Sequence, residues 1–392
     1  MKITILVGGK FHAFNLAEQI NKKNFLKLLI TSYPKFSLKK YGIKKDKIYS
    51  IYLKEVLIKI FNKFEVFRNF FDYNYHLSNY FDNKASKVID FSDTDLLIGW
   101  SGFSKFSFLK AKKFKCIKIL ERGSSHIKFQ KEILKDEYLK LGIKPNIPSD
   151  KMIDKEIEEY DLADYIFVPS QFVKDTFLKY GFSDKKIVKI PYGVDLKEFQ
   201  IIENSKLEDD KFRIISTGTL SVRKGSHYLI QAFLELSLDN SELIFVGPID
   251  LEMKEYLKKY KKYINIKFIN KQKQERLKFF YNKSNLFVQC SIEEGLSMVQ
   301  AQAMACGLPV ICTTNTGGAE IIDEGFNGHV IPIRNIQILK NKIKDLYYDR
   351  VKLNKMSKNA YEKAKNELSW ELYGNKILET YKTLIKNNFI ND

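Results

Sequence analysis

The sequence predicts an α/β protein of two doubly wound, Rossmann-like domains facing a central cleft. Three observations carry this. Apolar, strand-like runs alternate with amphipathic helical stretches along most of the chain, the pattern of parallel α/β domains. The pattern runs through one complete set of strands and then a second. At 392 residues the chain exceeds one ordinary core, and its 44% hydrophobic and 14% aromatic content is enough to build two.

In the first half, strands are expected at 3–7 (ITILV), 26–31 (LKLLIT), 95–100 (DLLIGW), 116–121 (CIKILE), 165–170 (YIFVPS) and 187–191 (IVKIP). In the second they are expected at 212–218 (FRIISTG), 242–247 (ELIFVG), 265–269 (NIKFI), 286–290 (LFVQC) and 309–313 (PVICT). The boundary falls near PYGVDLKEF (191–199), where proline and glycine break the pattern before a polar stretch at 203–211. The domains are thus 1–195 and 196–370, with a terminal helix over 371–392 expected to return to the first domain. Ligands of such folds sit in the crevice at the carboxyl ends of the strands.

The formal net charge is +19, from 66 basic and 47 acidic residues, and it is uneven. Residues 1–195 hold 36 basic and 23 acidic residues, so +13 lies in the first half. This suits either an anionic partner or a lysine-rich genome. Four cysteines, none in a Cys-x-x-Cys pair or near histidines at ligand spacing, support neither a disulfide framework nor a zinc site, and fit a reducing cytoplasm. The opening MKITILVGG is too short for a signal peptide and reads as a strand ending in a glycine turn. No run reaches the ~18 apolar residues that span a bilayer.

Two segments carry the chemistry. In STGTLSVRKGSHYLIQAF (216–233) a strand ends at Gly218 and a loop bearing Arg223, Lys224 and Gly225 leads into a helix. Adjacent cations beside a helix N-terminus make a clamp for a diphosphate, against the plainer reading of a solvated basic loop. In EEGLSMVQAQAMACGLPV (293–310) two carboxylates precede a helix that is apolar nearly all round, stopped by Gly307 and Pro309. Gly295 lets the chain approach a ligand, and Glu294 at the mouth is placed to accept hydrogen bonds from hydroxyls. The alternative is that Glu293 and Glu294 complement their own helix dipole. Both segments lie at carboxyl ends of strands in one half, which favours one shared ligand. Gly8 and Gly9 end the first strand and suit close backbone approach to phosphate, or an ordinary tight turn.

In order, GTLSVRKG (218–225), CSIEEGLSMVQAQAMACGLPVI (290–311), TGGAEII (316–322) and GFNGHVIP (325–332) resemble the donor half of glycosyltransferase family 4, retaining enzymes of the GT-B fold. The first half agrees more loosely through VGGKFHAFNLAEQI (7–20), ERGSSHI (121–127), ADYIFVPSQFV (163–173) and IPYGVD (190–195). The resemblance implies transfer of a sugar from a nucleotide-diphosphate sugar to a hydroxyl acceptor in cell-surface polysaccharide, lipopolysaccharide or glycolipid synthesis, without metal or cofactor. It makes Glu294 the first acid of a Glu-x7-Glu motif binding donor-sugar hydroxyls, and Arg223 and Lys224 the pair holding the diphosphate. Gly295, Leu296 and Ser297 would face the distal phosphate, and His126 the donor sugar or the transferring centre. Gly8 and Gly9 would lie near the donor phosphates. Two positions depart from the family: Gln302 replaces the second acid, which would hold the ribose, and Gly218-Thr219 replaces a Gly-Arg pair. An epimerase or phosphorylase of the same fold, or a weak sugar-nucleotide or polyanion binder, is the alternative.

Asp93-Thr94-Asp95 imitates an Asp-x-Asp metal motif but precedes its strand, so it reads as a turn. Glu121 and Arg122 read as an internal ion pair or as cleft residues, and His12, His76, His227 and His329 as structural. The stretch 52–71 places Leu53, Val56, Leu57, Ile60, Phe64, Phe67 and Phe71 on one helical face, with Lys59, Lys63 and Arg68 elsewhere. It is either a helix packed on its domain or one resting on an anionic membrane. The expected partners are a nucleotide sugar, a glycan or lipid-linked acceptor and such a membrane, with no nucleic acid. The location expected is cytoplasmic, peripheral on the inner membrane face.

Overall fold

The computed structural model describes residues 1–63, 72–203 and 209–390. Phe64, Phe67, Arg68 and Phe71, together with the side chain of Lys63, lie outside the described residues. The first sheet is parallel and contains β1 (Ile3–Val7), β2 (Leu26–Thr31), β3 (Ile48–Ser50), β4 (Leu96–Trp100), β5 (Ile117–Glu121), β6 (Tyr165–Val168) and β7 (Ile187–Lys189), in the order 3-2-1-4-5-6-7. The second contains β8 (Phe212–Thr217), β9 (Ser241–Val246), β10 (Ile266–Ile269), β11 (Leu286–Gln289), β12 (Val310–Thr313) and β13 (Gly328–Ile331), in the order 10-9-8-11-12-13. Both orders reverse after the first strand of the domain, which opens a crevice at the carboxyl ends of β1 and β4 and of β8 and β11. Helices cover both faces, so strands such as β1, β4 and β5 are buried at every position and read as continuous apolar runs.

The sequence reading misses two strands. β3 is three residues long with an exposed Tyr49, and β13 opens on glycine and histidine; neither offers an apolar run. Each closes one edge of its sheet. The apolar helix begins at Met298, so Leu296 and Ser297 precede it, Ser297 being extended at φ −79°, ψ 110°.

The chain passes between the domains twice at one place. Val194 pairs with Ser369, and the Val194 amide donates to the Leu368 carbonyl at 2.6 Å. A side chain at Gly193 would meet the Trp370 amide nitrogen at 2.7 Å, so the crossing strands need that glycine. The last helix, Trp370–Ile390, packs on helix Ala13–Lys22 of the first domain, where Gly374 fits against Gln19. Tyr381 is fully buried there, 5.6 Å from Phe167 of β6. In the other direction, Leu134 and Tyr138 of helix Ile127–Lys140 join the core of the second domain, beside Val222, Leu229 and Ile230. Each domain thus holds an element that the chain order assigns to the other.

Tyr381→Ala is expected to destabilise the first domain by about 3–5 kcal/mol, the cost of an aromatic-to-alanine truncation in a core. Calorimetry should show the transition of the first domain lowered and that of the second nearly unmoved; the reverse would contradict this packing.

Candidate active site

The loop after β8 owes its shape to two glycines. Gly218 has φ +121°, a conformation that L side chains avoid. Gly225 has φ +62° and sits against the Cys290 carbonyl, where a Cβ would collide with backbone. Tight turns join Ser221 to Lys224 and Val222 to Gly225 through backbone hydrogen bonds of 3.2 and 3.0 Å. Arg223 and Lys224 therefore stand at the carboxyl end of β8, just before helix Ser226–Leu236. The loop after β11 is laced to this one: the Ile292 amide donates to the Arg223 carbonyl at 2.8 Å. On its other side the Glu294 amide donates to the Asn315 carbonyl at 2.8 Å.

These two loops bring four charges together. Lys224 pairs closely with Glu294 Oε2, and Arg223 Nη2 lies 3.1 Å from Glu294 Oε1. Arg223 Nε donates to Glu293 Oε2 at 2.7 Å. Glu293 also accepts from the first domain: from the Ser125 amide and hydroxyl, each at 2.8 Å, and from Gln130 Nε2 at 2.9 Å. Burial alone would favour protonation of Glu293, but Arg223, the Ser125 amide and Gln130 hold its pKa down at about 2. Glu294 is likewise held below the usual carboxylate range, because Arg223 and Lys224 outweigh its desolvation. Arg223 is raised, since Glu294 and Glu293 overcome its burial. The dipole reading of the two acids is corrected here: helix Met298–Ala305 starts four residues after Glu294, and both carboxylates are spent on Arg223 and Lys224.

The other sequence-predicted residues divide. Gln302 is buried one turn into its helix, and its Oε1 has no hydrogen-bond partner among the described residues. A buried amide oxygen left unpaired is a ready acceptor for a ligand hydroxyl. Thr219 is half-buried beside Gly218. Gly295 has a packing reason of its own: a Cβ there would strike the Gly123 carbonyl of the first domain, and its own carbonyl accepts from Ser170 Oγ at 2.7 Å. Leu296 is core, and Ser297 Oγ accepts from Gln289 Nε2 at 3.0 Å. Gly8 is packed under the Phe103 ring and is needed for close packing within its own domain, whereas a Cβ at Gly9 would meet only the ring edge of the exposed Phe11.

His126 is not in the cleft. It is 2% exposed, stacked on Tyr180 at 4.3 Å and surrounded by Tyr160, Phe177 and Phe182. Its Nδ1 accepts from the Lys128 amide at 3.3 Å, capping helix Ile127–Lys140. Burial, aided by Arg122 and Lys128, pushes its pKa down to about 3. A neutral, walled-in cap cannot serve the transferring centre. Glu121 and Arg122 do not pair with each other: Arg122 pairs with Glu156, and Glu121 Oε2 lies 3.1 Å from His12 Nε2 at the carboxyl ends of β5 and β1. His227 bonds Glu137 of the first domain at 2.9 Å, and His329 bonds Glu324 at 2.7 Å. Asp93 is in a turn, paired with Lys2 and Lys27.

Sequence reasoning missed the first domain's share, namely Ser124, Ser125, Gln130 and Glu137. The only signal was the polar cluster in ERGSSHIKFQ, directly after a strand.

Two outcomes follow from this geometry. Gly225→Ala should cost more than the roughly 1–3 kcal/mol of left-handed strain alone, because its Cβ also meets the Cys290 backbone, and should misplace Arg223 and Lys224; denaturant unfolding checks it. Glu293 and Glu137, on opposite sides of the domain boundary, both fall from 4.5 to about 2 in the fold, the latter because His227, Tyr228 and Arg334 outweigh its burial. Their stabilisation is therefore complete above about pH 4.5 and lost as pH falls towards 2. Glu137→Gln should give a shallower dependence of Tm on pH across that window than the unaltered protein.

Residues 197–363 match the family model of glycosyl transferases group 1. An uncharacterized glycosyltransferase of Methanocaldococcus jannaschii is 28% identical over 315 residues, covering 78% of this chain and 75% of the relative. A capsular polysaccharide biosynthesis glycosyltransferase of Staphylococcus aureus is 26% identical over 211 residues, covering 50% of this chain and 54% of its own. Among solved structures, Anabaena HepE in complex with UDP-glucose superposes with a TM-score of 0.70 at 16% identity, covering 98% of this chain and 100% of that one. Two facing parallel sheets thus give the chain the GT-B architecture, and its second half is similar to the group 1 glycosyl transferases.

Proposed function

We propose that the protein is a retaining, metal-independent transferase of the family 4 kind, which moves a sugar from a nucleotide-diphosphate sugar to a hydroxyl of a glycan or lipid-linked acceptor in cell-surface polysaccharide, lipopolysaccharide or glycolipid synthesis. The observation that carries this reading is the cluster of Arg223, Lys224 and Glu294 where β8 and β11 end against the first domain. The capsular relative and the UDP-glucose complex of the structural neighbour support the substrate class.

Before the donor arrives, Lys224 is paired with Glu294, and Arg223 with both Glu294 and Glu293. A diphosphate draws both cations, and the carboxylate oxygens of Glu294 so released accept hydrogen bonds from the sugar hydroxyls. One exchange thus orients the sugar and charges the phosphate site. As the glycosidic bond breaks, negative charge grows on the leaving phosphate, and Arg223 and Lys224 bind it more strongly than in the ground state. The resemblance to family 4 implies that the departing phosphate itself takes the acceptor proton on the face it leaves, which would retain configuration; the burial of His126, which removes it as a base, fits that account. Gln302 Oε1 receives a ribose hydroxyl.

A second observation bears on location. In helix Leu53–Lys63 the side chains of Leu53, Val56 and Ile60 are 43–44% exposed, with Tyr52 and Phe36 also exposed. This apolar stripe, which the sequence leaves free to be core, faces solvent on the domain that carries the +13 charge. No helix among the described residues is long and apolar enough to cross a membrane. We propose that this face seats the protein on the anionic inner surface of the cytoplasmic membrane, where each basic residue contributes about 1 kcal/mol.

Lys224→Ala and Arg223→Ala should lower turnover on the order of a hundredfold. Glu294→Ala should weaken the nucleotide sugar more than the free nucleotide diphosphate; equal losses in calorimetry would refute its role. Gln302→Glu should strengthen nucleotide binding by about 0.5–1.5 kcal/mol, because a charged acceptor makes the stronger hydrogen bond. Release of free nucleotide from a nucleotide sugar without acceptor separates the transferase from a mere binder. In sedimentation with anionic vesicles, a variant with serine at 53, 56 and 60 should pellet less than the unaltered protein, and pelleting should fall as salt rises.

A further inference from the structure

We infer that Glu293 is a positioning residue that couples the phosphate-binding arginine to the first domain, so that donor affinity depends on residues across the domain boundary that touch no donor. This rests on the donor site proposed above and assigns the neighbour of Glu294 a different task. Glu294 is bonded to cations of its own domain alone. Glu293 is fully buried and shares its bonds between domains: Ser125 and Gln130 on one side, Arg223 Nε on the other.

Ser124 Oγ adds a second cross-boundary contact to Arg223 Nη2 at 3.3 Å, while Nη1 has no partner among the described residues. The guanidinium is therefore held by one edge with the other presented. A buried carboxylate cannot lose its cation without severe desolvation cost, so Glu293 and Arg223 keep their relation or the boundary opens.

Helix Ile127–Lys140, which carries Gln130, is the lever. Seven residues beyond Gln130, its buried Glu137 bonds His227 Nε2 at 2.9 Å and Arg334 Nε at 2.6 Å, both in the second domain. His227 lies three residues after Lys224, in the first turn of the helix that follows the phosphate loop, so one helix of the first domain bonds both the acid loop at Glu293 and the helix next to the phosphate loop. Arg334 is held in a left-handed conformation, φ +63°, a strain that such a contact sustains. The Gln130 amide reaches Glu293, while its Oε1 accepts from Arg122 Nη2 at 3.3 Å.

The test is a thermodynamic cycle read by calorimetry with UDP, GDP and ADP as probes. Gln130→Ala should weaken binding of the probe that binds by three- to tenfold in the unaltered protein, and by less than twofold in a Glu293→Gln background. A merely structural role predicts equal fold-changes in both backgrounds, and that result, or no effect of Gln130→Ala, overturns the coupling. Should Glu293→Gln fail to fold, Arg223→Lys keeps the charge but removes the Nε donor, and Gln130→Ala must be equally silent there. If the unaltered protein binds none of the probes, the donor site is wrong. The interdomain role then stands or falls on small-angle scattering, where ligand-free Glu293→Gln should have the larger radius of gyration and an unchanged radius would overturn it.

Discussion

The structure turns on how a buried carboxylate is kept charged. Glu293 has no exposure, and an ion so placed survives only if its oxygens are occupied by strong donors. The chain supplies them from both domains at once, through Arg223, Ser125 and Gln130. Much of the local architecture follows from that need. Gly225 turns the β8 loop so that Arg223 points at the acid, and Gly295 lets the acid loop lie directly on Gly123. Backbone contact between domains and charge pairing between loops are thus parts of one arrangement.

That arrangement also sets the electrostatics of the cleft. Two cations and two carboxylates leave the quartet neutral, although the chain carries +19 and its first half most of that. The excess is elsewhere, on lysines of the exterior. The cluster is therefore not a standing concentration of positive charge that would hold any polyanion. On the proposed function its cations would become available by exchange, and only a ligand that offers phosphate to the cations and hydroxyls to Glu294 would replace both halves of what it disrupts. Selectivity of this kind arises from what would be left unpaired by the wrong ligand, more than from attraction to the right one.

Much of the fold was legible because parallel strands covered on both faces must be apolar throughout, and runs such as 3–7, 26–31 and 286–289 have no other reading. The edge strands β3 and β13 were not, since an edge of three or four residues needs neither length nor apolarity. In the charge cluster, Arg223, Lys224 and Glu294 were legible because charge beside a strand-to-helix turn is a local signal. The partners of Glu293 lie 163 and 168 residues away, and no local pattern joins them. His126 misled for the same reason in reverse. Its place after a strand is visible in sequence, whereas the convergence of Tyr160, Phe177, Tyr180 and Phe182 upon it is a tertiary fact.

The exchange of elements between domains gives these contacts their reach. Were the two domains joined only by a linker, their relative placement would rest on the modest surfaces that interdomain contacts usually bury. Here the last helix returns to seat Tyr373 and Tyr381 in the first domain, while helix Ile127–Lys140 sinks Leu134 and Tyr138 into the core of the second. The first of these anchors lies at the crossing of the two connecting strands, near residues 194 and 369. The second lies beside Val222 and the helix that follows Arg223 and Lys224. A body fixed at one crossing and gripped at a second place has few ways to move: rotation about the crossing strands displaces the helix that holds Glu293 and His227. Any such motion is felt at Arg223, because the residue that binds the arginine is the residue that binds the other domain.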